Sequence, residues 1–141
     1  MNHYEFPLIR DLDQVLAVVE GVDGFSVTRK ADYTVVNYHY NTPEVFPEVV
    51  DEATAIRREC RGLIFGLDGQ LISRPYHKFF NVNENAFTQF GDLDFTDAEY
   101  FDKVDGSMIT SIMVNDQVYF KTKRTCKQSH GYIKQVLIRF K

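Results

Sequence analysis

The sequence predicts an α+β domain in which a mostly antiparallel sheet is flanked by helices. Short segments rich in β-branched and aromatic residues outnumber segments with helical spacing, and turn signals join several neighbouring strands. Only two segments show the spacing of an amphipathic helix. With 141 residues, 44 % of them hydrophobic, the chain is long and apolar enough to bury the core of one domain.

The first helix is predicted over residues 11–20. Apolar residues recur at i, i+3, i+4 and i+7 from Leu12, which places them on one helical face. Asp11 is suited to capping the start of this helix, and Gly21 is suited to ending it.

Two strands and a second helix follow. Residues 25–29 and 33–40 are rich in β-branched and aromatic residues and are separated by a charged bend, so we expect them to pair. Residues 41–48 include two prolines that break the pattern. The second helix is expected over residues 51–58, and Asp68-Gly69 predicts a hairpin between two further strands within residues 62–74.

The remaining segments alternate between loop and strand. PYHKFFNVNENAF predicts an ordered loop with a short strand at its start, and the acidic stretch GDLDFTDAEYFD follows it. Residues 107–114 and 117–123 predict two more strands, with Asn115-Asp116 as the turn between them.

Charge is unevenly distributed along the chain. All 20 acidic residues lie at or before Asp116, whereas residues 117–141 hold seven basic residues and no acid. This end is suited to polyanions such as nucleotide phosphates or RNA, although a solvated basic tail has the same composition. The two cysteines are far apart and predict free thiols, and no apolar run is long enough for a membrane span, so we expect a cytoplasmic protein.

The segment KVDGS, residues 103–107, has two interpretations. It can be an ordinary turn, or a turn that presents Lys103 as a nucleophile next to backbone N–H groups and a hydroxyl. A lysine amine reacts only when it is unprotonated, and an ordinary pKa near 10.4 leaves about one in a thousand in that form at pH 7. Nearby cations would favour the neutral amine, and Arg61, Lys78 and Lys123 are the candidates.

Each of these candidates also has a structural interpretation. Arg61 can grip a phosphate or form a surface salt bridge. Lys78 precedes Phe79 and Phe80, of which one ring can stack on a base, although core packing is the commoner role. The lysines of FKTKR can meet phosphate or keep an exposed strand edge soluble.

Four blocks in this order carry a family resemblance: ECRG, SRPYHKFFNVNEN, KVDGS and the lysine of FKTKR. Together they resemble the N-terminal part of the bacteriophage RNA ligases that repair cleaved tRNA. KxDGS resembles the motif of the adenylated lysine in covalent nucleotidyltransferases, which include DNA ligases and mRNA capping enzymes. The string SRPxxKFFNxNEN resembles a motif of the phage RNA ligase branch and points to that branch within the superfamily. The resemblance runs from about residue 33 to about residue 123.

The resemblance implies an ATP-dependent RNA ligase with magnesium and RNA as partners. By similarity, Lys103 forms lysyl-AMP, AMP passes to a 5′-phosphate RNA end, and a 3′-hydroxyl displaces it. The positions that match nucleotide-binding residues of the family are Arg61, Lys78, Phe80, Gly106 and Lys123. The resemblance implies the N-terminal portion of a nucleotidyltransferase domain, and the metal ligands are not identified. A phage-encoded enzyme would act in the host cytoplasm.

The chain also departs from the family pattern. Members continue past the lysine motif with a glutamate for ribose, carboxylates that assist the metal and a late pair of lysines, none of which is found after Lys103. We therefore expect residues 1–141 to form one incomplete domain with little or no ligase activity alone. A shortened gene or a complementary C-terminal fragment would account for this. The alternatives are a catalytically dead remnant that binds nucleotide or RNA, and a capping-type or DNA-ligase-type enzyme, which the KFFNxNEN string disfavours.

Overall fold

Two antiparallel sheets and two helices make up the fold. The computed structural model describes residues 6–103, 105–106, 108–114, 116–123 and 126–128. The elements, in chain order, are α1 (Leu12–Val19), β1 (Phe25–Arg29), β2 (Tyr33–Tyr38), α2 (Glu52–Glu59), β3 (Leu63–Gly66), β4 (Leu71–Ser73), β5 (Thr110–Val114), β6 (Gln117–Lys121) and β7 (Cys126–Gln128). Two short 3₁₀ turns, Ala86–Thr88 and Phe90–Asp92, lie between β4 and β5. The predicted α+β class with antiparallel strands is confirmed.

The first sheet has the strand order β1-β2-β3-β4. Val36 at the centre of β2 pairs with Val27 on one side and with Leu63 on the other. The hairpin between β3 and β4 turns at Asp68-Gly69, as predicted, and Gly69 has a φ of 77° that glycine adopts without steric cost. Each strand therefore follows its neighbour in sequence, which is a simple meander.

The first helix begins at the predicted cap, and the second is capped by the first residue of its predicted range. The Asp11 carboxylate accepts a hydrogen bond of 2.8 Å from the backbone N–H of Gln14, and Gly21, with a φ of 79°, follows the last turn of α1. At α2, Asp51 and Thr54 form a reciprocal capping box. The helix starts are thus determined by local sequence.

The main core lies between the helices and one face of the first sheet. Its buried members are apolar residues from both helices, from β2 and β3, and from the segment before α1: Ile9, Val15, Val19, Val36, Ile56, Cys60, Leu63 and Phe65. The Cys60 thiol is free and buried, and burial raises its pKa. In β3 the residues Leu63, Ile64 and Phe65 are all buried, so this strand is covered on both faces.

The second sheet has the order β5-β6-β7 and is in contact with the first sheet through β4 and β5. Val114 pairs with Gln117 at the predicted turn, where Asp116 has a left-handed φ of 59°; Asn115 lies outside the described residues. The strand β7 is not predicted by the sequence, because three residues are too few to show a period.

The predicted short strand at the start of PYHKFFNVNENAF is wrong. Residues 74–85 form no strand, and the backbone N–H of Lys78 donates instead to the carbonyl of Arg58 at 2.7 Å. Pro75 has no N–H to give to a ladder, which disfavours strand pairing at this point. Strand alternation is therefore absent at Phe79 and Phe80. Phe79 is 49 % exposed, contrary to a core role, whereas Phe80 is half-buried.

Candidate active site

Three predicted cations meet beside the end of β2. Lys78 lies in the loop after β4, Arg61 lies two residues before the start of β3, and Lys123 follows β6. Burial lowers the pKa of Lys78 below its ordinary value of 10.5, and the positive charges of Arg61 and Lys123 lower it further. Glu84 and Tyr38 act on the pKa of Lys78 in the opposite direction. These cations are therefore close enough to act on one ligand.

Arg61 connects the two sheets. Its guanidinium carbon lies 4.9 Å from the centre of the Phe79 ring, and its Nη1 donates to the sulfur of Met108 at 3.6 Å. Met108 is the first residue after KVDGS. Arg61 thus approaches the C-terminal end of the lysine motif, with the ring of Phe79 supporting its planar group.

The side chain of Lys78 is buried and makes its contacts with the protein. It is only 8 % exposed, and its ammonium donates to the carbonyl of Phe79 at 2.6 Å. The nitrogen also lies 4.1 Å from the centre of the Phe80 ring and 4.0 Å from a carboxylate oxygen of Glu84. A buried ammonium whose carboxylate neighbour lies as far away as 4.0 Å is suited to receiving a phosphate.

Phe80 lies in a row of aromatic rings. It makes edge contacts with Phe46 at 6.1 Å and with Phe87 at 5.5 Å between ring centres. The guanidinium of Arg58 lies over both Phe80 and Phe87, at 5.2 and 4.7 Å. In this arrangement the Phe80 ring packs against the ammonium of Lys78.

The two lysines of FKTKR have different surroundings. The Lys123 nitrogen lies 3.4 Å from the centre of the Tyr38 ring. Lys121 is 1 % exposed and donates from its ammonium to the carbonyl of Gly62. The exposed-edge interpretation is therefore wrong for Lys121. Sequence reasoning missed Tyr38; its place at the end of β2, across the sheet from the ECRG segment, was the available signal.

The described residues of the lysine motif are exposed. Lys103 and Gly106 are both accessible to solvent, and Gly106 has a φ of 144°, which side chains rarely adopt. Val104 and Ser107 lie outside the described residues. The backbone at Gly106 thus has the conformation of a sharp turn, while the nucleophilic role of Lys103 stays a prediction.

The described ranges contain neither a metal-binding cluster nor a membrane-spanning helix. No group of three or more His, Cys, Asp or Glu side chains lies close enough there to hold a metal ion. Neither described helix is long and apolar enough to cross a membrane.

A family model described as RNA ligase matches residues 59–139, which is more than half of the chain. The chain belongs to the RNA ligase family. All six predicted site residues, from Arg61 to Lys123, lie within the matched region.

Two curated relatives support membership of this RNA ligase family. "RNA ligase 1" of Bacteriophage TS2126 is 30 % identical over 122 residues, covering 81 % of the chain and 29 % of the relative. A protein of Thermovibrio ammonificans, named as an inferred RNA ligase, is 32 % identical over 114 residues, covering 80 % of the chain and 28 % of the relative. The chain thus spans less than a third of the length of either relative. No solved structure gave a significant match.

Proposed function

We propose that this chain provides the nucleotide-binding and adenylylation segment of an ATP-dependent RNA ligase, with Lys103 as the nucleophile. The observation that carries the proposal is that the charges of Arg61 and Lys123 both act on Lys78, while Arg61 also contacts Met108, the residue directly after the KVDGS motif. Three cations that converge on one space favour a ligand with several negative charges, and a triphosphate has that character. Family membership adds the expectation of RNA as the second substrate.

The first step is a phosphoryl-type transfer. The neutral amine of Lys103 attacks the α-phosphorus of ATP, the new P–N bond forms, and the bond to the bridging oxygen breaks. Pyrophosphate leaves with that electron pair, and the amine nitrogen releases its proton to solvent. Arg61, Lys78 and Lys123 would offset charge on the phosphates, since such transfers depend on positioning and electrostatic stabilisation.

The later steps would join RNA ends. An oxygen of a 5′-phosphate displaces the lysine from AMP, giving an adenylylated RNA end. A 3′-hydroxyl then attacks the 5′-phosphorus, and AMP leaves. We propose cleaved tRNA as the natural substrate, which a comparison of a nicked anticodon stem-loop with unstructured RNA of equal length would test.

Magnesium would reach this site with the nucleotide. The described residues contain no cluster of carboxylates for a dedicated cage, whereas magnesium commonly binds through substrate phosphates and waters. Bound in that way it would neutralise phosphate charge.

Transfer of label tests the proposal. The chain is incubated with magnesium and ATP labelled at the α-phosphate, then denatured and analysed on a gel. We expect label on the unmutated chain and none on Lys103→Ala, while ATP labelled at the γ-phosphate should leave both unlabelled. Lys30→Met, at an exposed bend, should label normally. If the unmutated chain binds ATP but takes no label, the proposal fails and a nucleotide-binding role remains.

A further inference from the structure

Lys121 and Lys123 lie two residues apart, yet the structure separates their roles. Lys121 is almost inaccessible, at 1 % exposure, so its ammonium cannot reach a ligand without displacing its neighbours. It donates to the carbonyl of Gly62, a residue 59 positions earlier that directly precedes β3 of the first sheet. A buried ammonium is stable only when hydrogen bonds replace its lost hydration. The bond therefore joins the end of β6 to the start of β3.

Gly62 is built for this close approach. It is buried, has a φ of 91°, and donates its N–H to the carbonyl of Val36 at 3.1 Å. A Cβ at this position would lie 2.9 Å from the backbone oxygen of Lys123 and 3.4 Å from the ammonium of Lys121. Any side chain here would push the end of β6 away.

Groups on both sides of this contact belong to the candidate site. Arg61 is the residue before Gly62, and Lys123 is two residues beyond Lys121. The Gly62–Lys121 contact thus fixes Arg61 relative to Lys123, although Arg61 precedes a strand of the first sheet and Lys123 follows a strand of the second. Lys123 also contacts the Tyr38 ring.

We propose that Lys121 is a positioning residue, which acts through the Gly62 carbonyl to set Lys123 and Arg61 for the nucleotide and does not itself contact the nucleotide. This role rests on the proposed function, because it assumes that Lys123 and Arg61 bind ATP. The contact itself can be tested without ATP.

The binding experiment is a double-mutant cycle. ATP affinity in the presence of magnesium is measured by calorimetry for Lys121→Met, Lys123→Met and the double variant, with exposed Lys30→Met as the control. We expect each single change to weaken binding by about tenfold, and the double variant to be weaker than either single by no more than about threefold, because coupled residues are not additive. If the two single losses of ATP affinity multiply in the double variant, or if Lys121→Met binds ATP normally, the positioning role is overturned.

A second variant changes Gly62, the other residue of the same contact. Gly62→Ala should weaken ATP binding and should mask the effect of Lys123→Met in the same way. A general loss of stability would leave the effect of Lys123→Met unchanged. The masking therefore separates positioning from mere structural support.

The experiment without ATP measures unfolding by urea. The midpoint should fall less for Gly62→Ala in the Lys121→Met background than in the unmutated chain, since the contact is already lost there. Independent shifts would show that the two residues are uncoupled and would overturn the proposal. If the unmutated chain does not bind ATP, the proposed function fails, and this unfolding cycle still decides whether the contact exists.

Discussion

The ammonium of Lys123 lies 3.4 Å from the centre of the Tyr38 ring. Tyr38 is the last residue of β2 in the first sheet, and Lys123 follows β6 in the second. The negative face of an aromatic ring attracts a cation and restrains it without neutralising its charge. The contact therefore leaves Lys123 able to bind phosphate.

Removing the ring should weaken nucleotide binding. We expect Tyr38→Leu to lower ATP affinity by about two- to tenfold, since a partly exposed cation–π contact contributes about 0.5–1 kcal/mol and the freed lysine is also less ordered. Calorimetric titration with ATP and magnesium measures the change. Tyr38→Phe keeps the ring and should bind almost normally; an equal loss in both variants would point to the hydroxyl instead.

A lysine at position 61 should not support the reaction as well as Arg61 does. The planar guanidinium lies over Phe79 and donates to Met108, and an ammonium cannot reproduce both contacts. We expect Arg61→Lys to reduce the rate of lysyl-AMP formation by about tenfold or more, because lysine keeps the charge but loses the planar group that positions it on a phosphate. The matched control is Arg29→Lys at an exposed position of β1, which should react normally. Unimpaired labelling by Arg61→Lys would remove Arg61 from the site.

ATP affinity should decline as the pH rises, and the decline should begin at a pH below the ordinary pKa of lysine. The pKa of Lys78 lies below 10.5 because of burial, then because of Arg61 and Lys123, while Glu84 and Tyr38 oppose the shift. The cationic form that attracts phosphate is present below the lowered pKa and is lost as the pH rises through it. In Lys78→Arg the guanidinium stays charged, so the alkaline decline should move to higher pH. Coincident curves would assign the decline to another group.

The same shift has an effect on stability. Because the pKa of Lys78 is lower in the folded chain than in the unfolded one, the unfolded chain binds this proton more tightly. Protonation of Lys78 therefore reduces the free energy of unfolding as the pH falls from 10.5 through the lowered pKa.

The cap of α2 offers a prediction about stability alone. Asp51 accepts a hydrogen bond of 2.7 Å from the backbone N–H of Thr54, and Thr54 donates back to the same carboxylate. We expect Asp51→Ala to lower the free energy of unfolding by about 0.5–2 kcal/mol, measured by urea denaturation. Glu48→Ala, at an exposed position shortly before the helix, should change it little. An equal change in both would mean that the cap contributes nothing.

Local signals explain how much of the fold the sequence predicts. The helix starts at Asp11 and Asp51 and the turn at Asp68-Gly69 depend on neighbouring residues, so their patterns predict them. The loop around Lys78 depends on a bond to the carbonyl of Arg58, 20 positions earlier, which no local pattern contains. The strand expected there is wrong for that reason.

The candidate site divides in the same way. Arg61, Lys78 and Lys123 were predicted from their motifs, and the structure brings these three together. The burial of Lys121 could not be predicted, because it involves Gly62, which lies 59 positions earlier and just before β3 of the first sheet. Alternation within β6 specifies which residues share a face but not what covers that face.

The loop that holds Lys78 is tied to the rest of the fold by a second contact. The side-chain amide of Asn41 donates to the Glu84 carboxylate at 2.6 Å, and the other oxygen of that carboxylate accepts the backbone N–H of Asn81, also at 2.6 Å. Ordering a flexible loop costs roughly 1–2 kcal/mol of conformational entropy per residue. Here the loop is ordered when the chain folds, so a nucleotide would encounter Lys78 already in place. Binding at this loop should accordingly be fast, with little change in heat capacity from loop ordering.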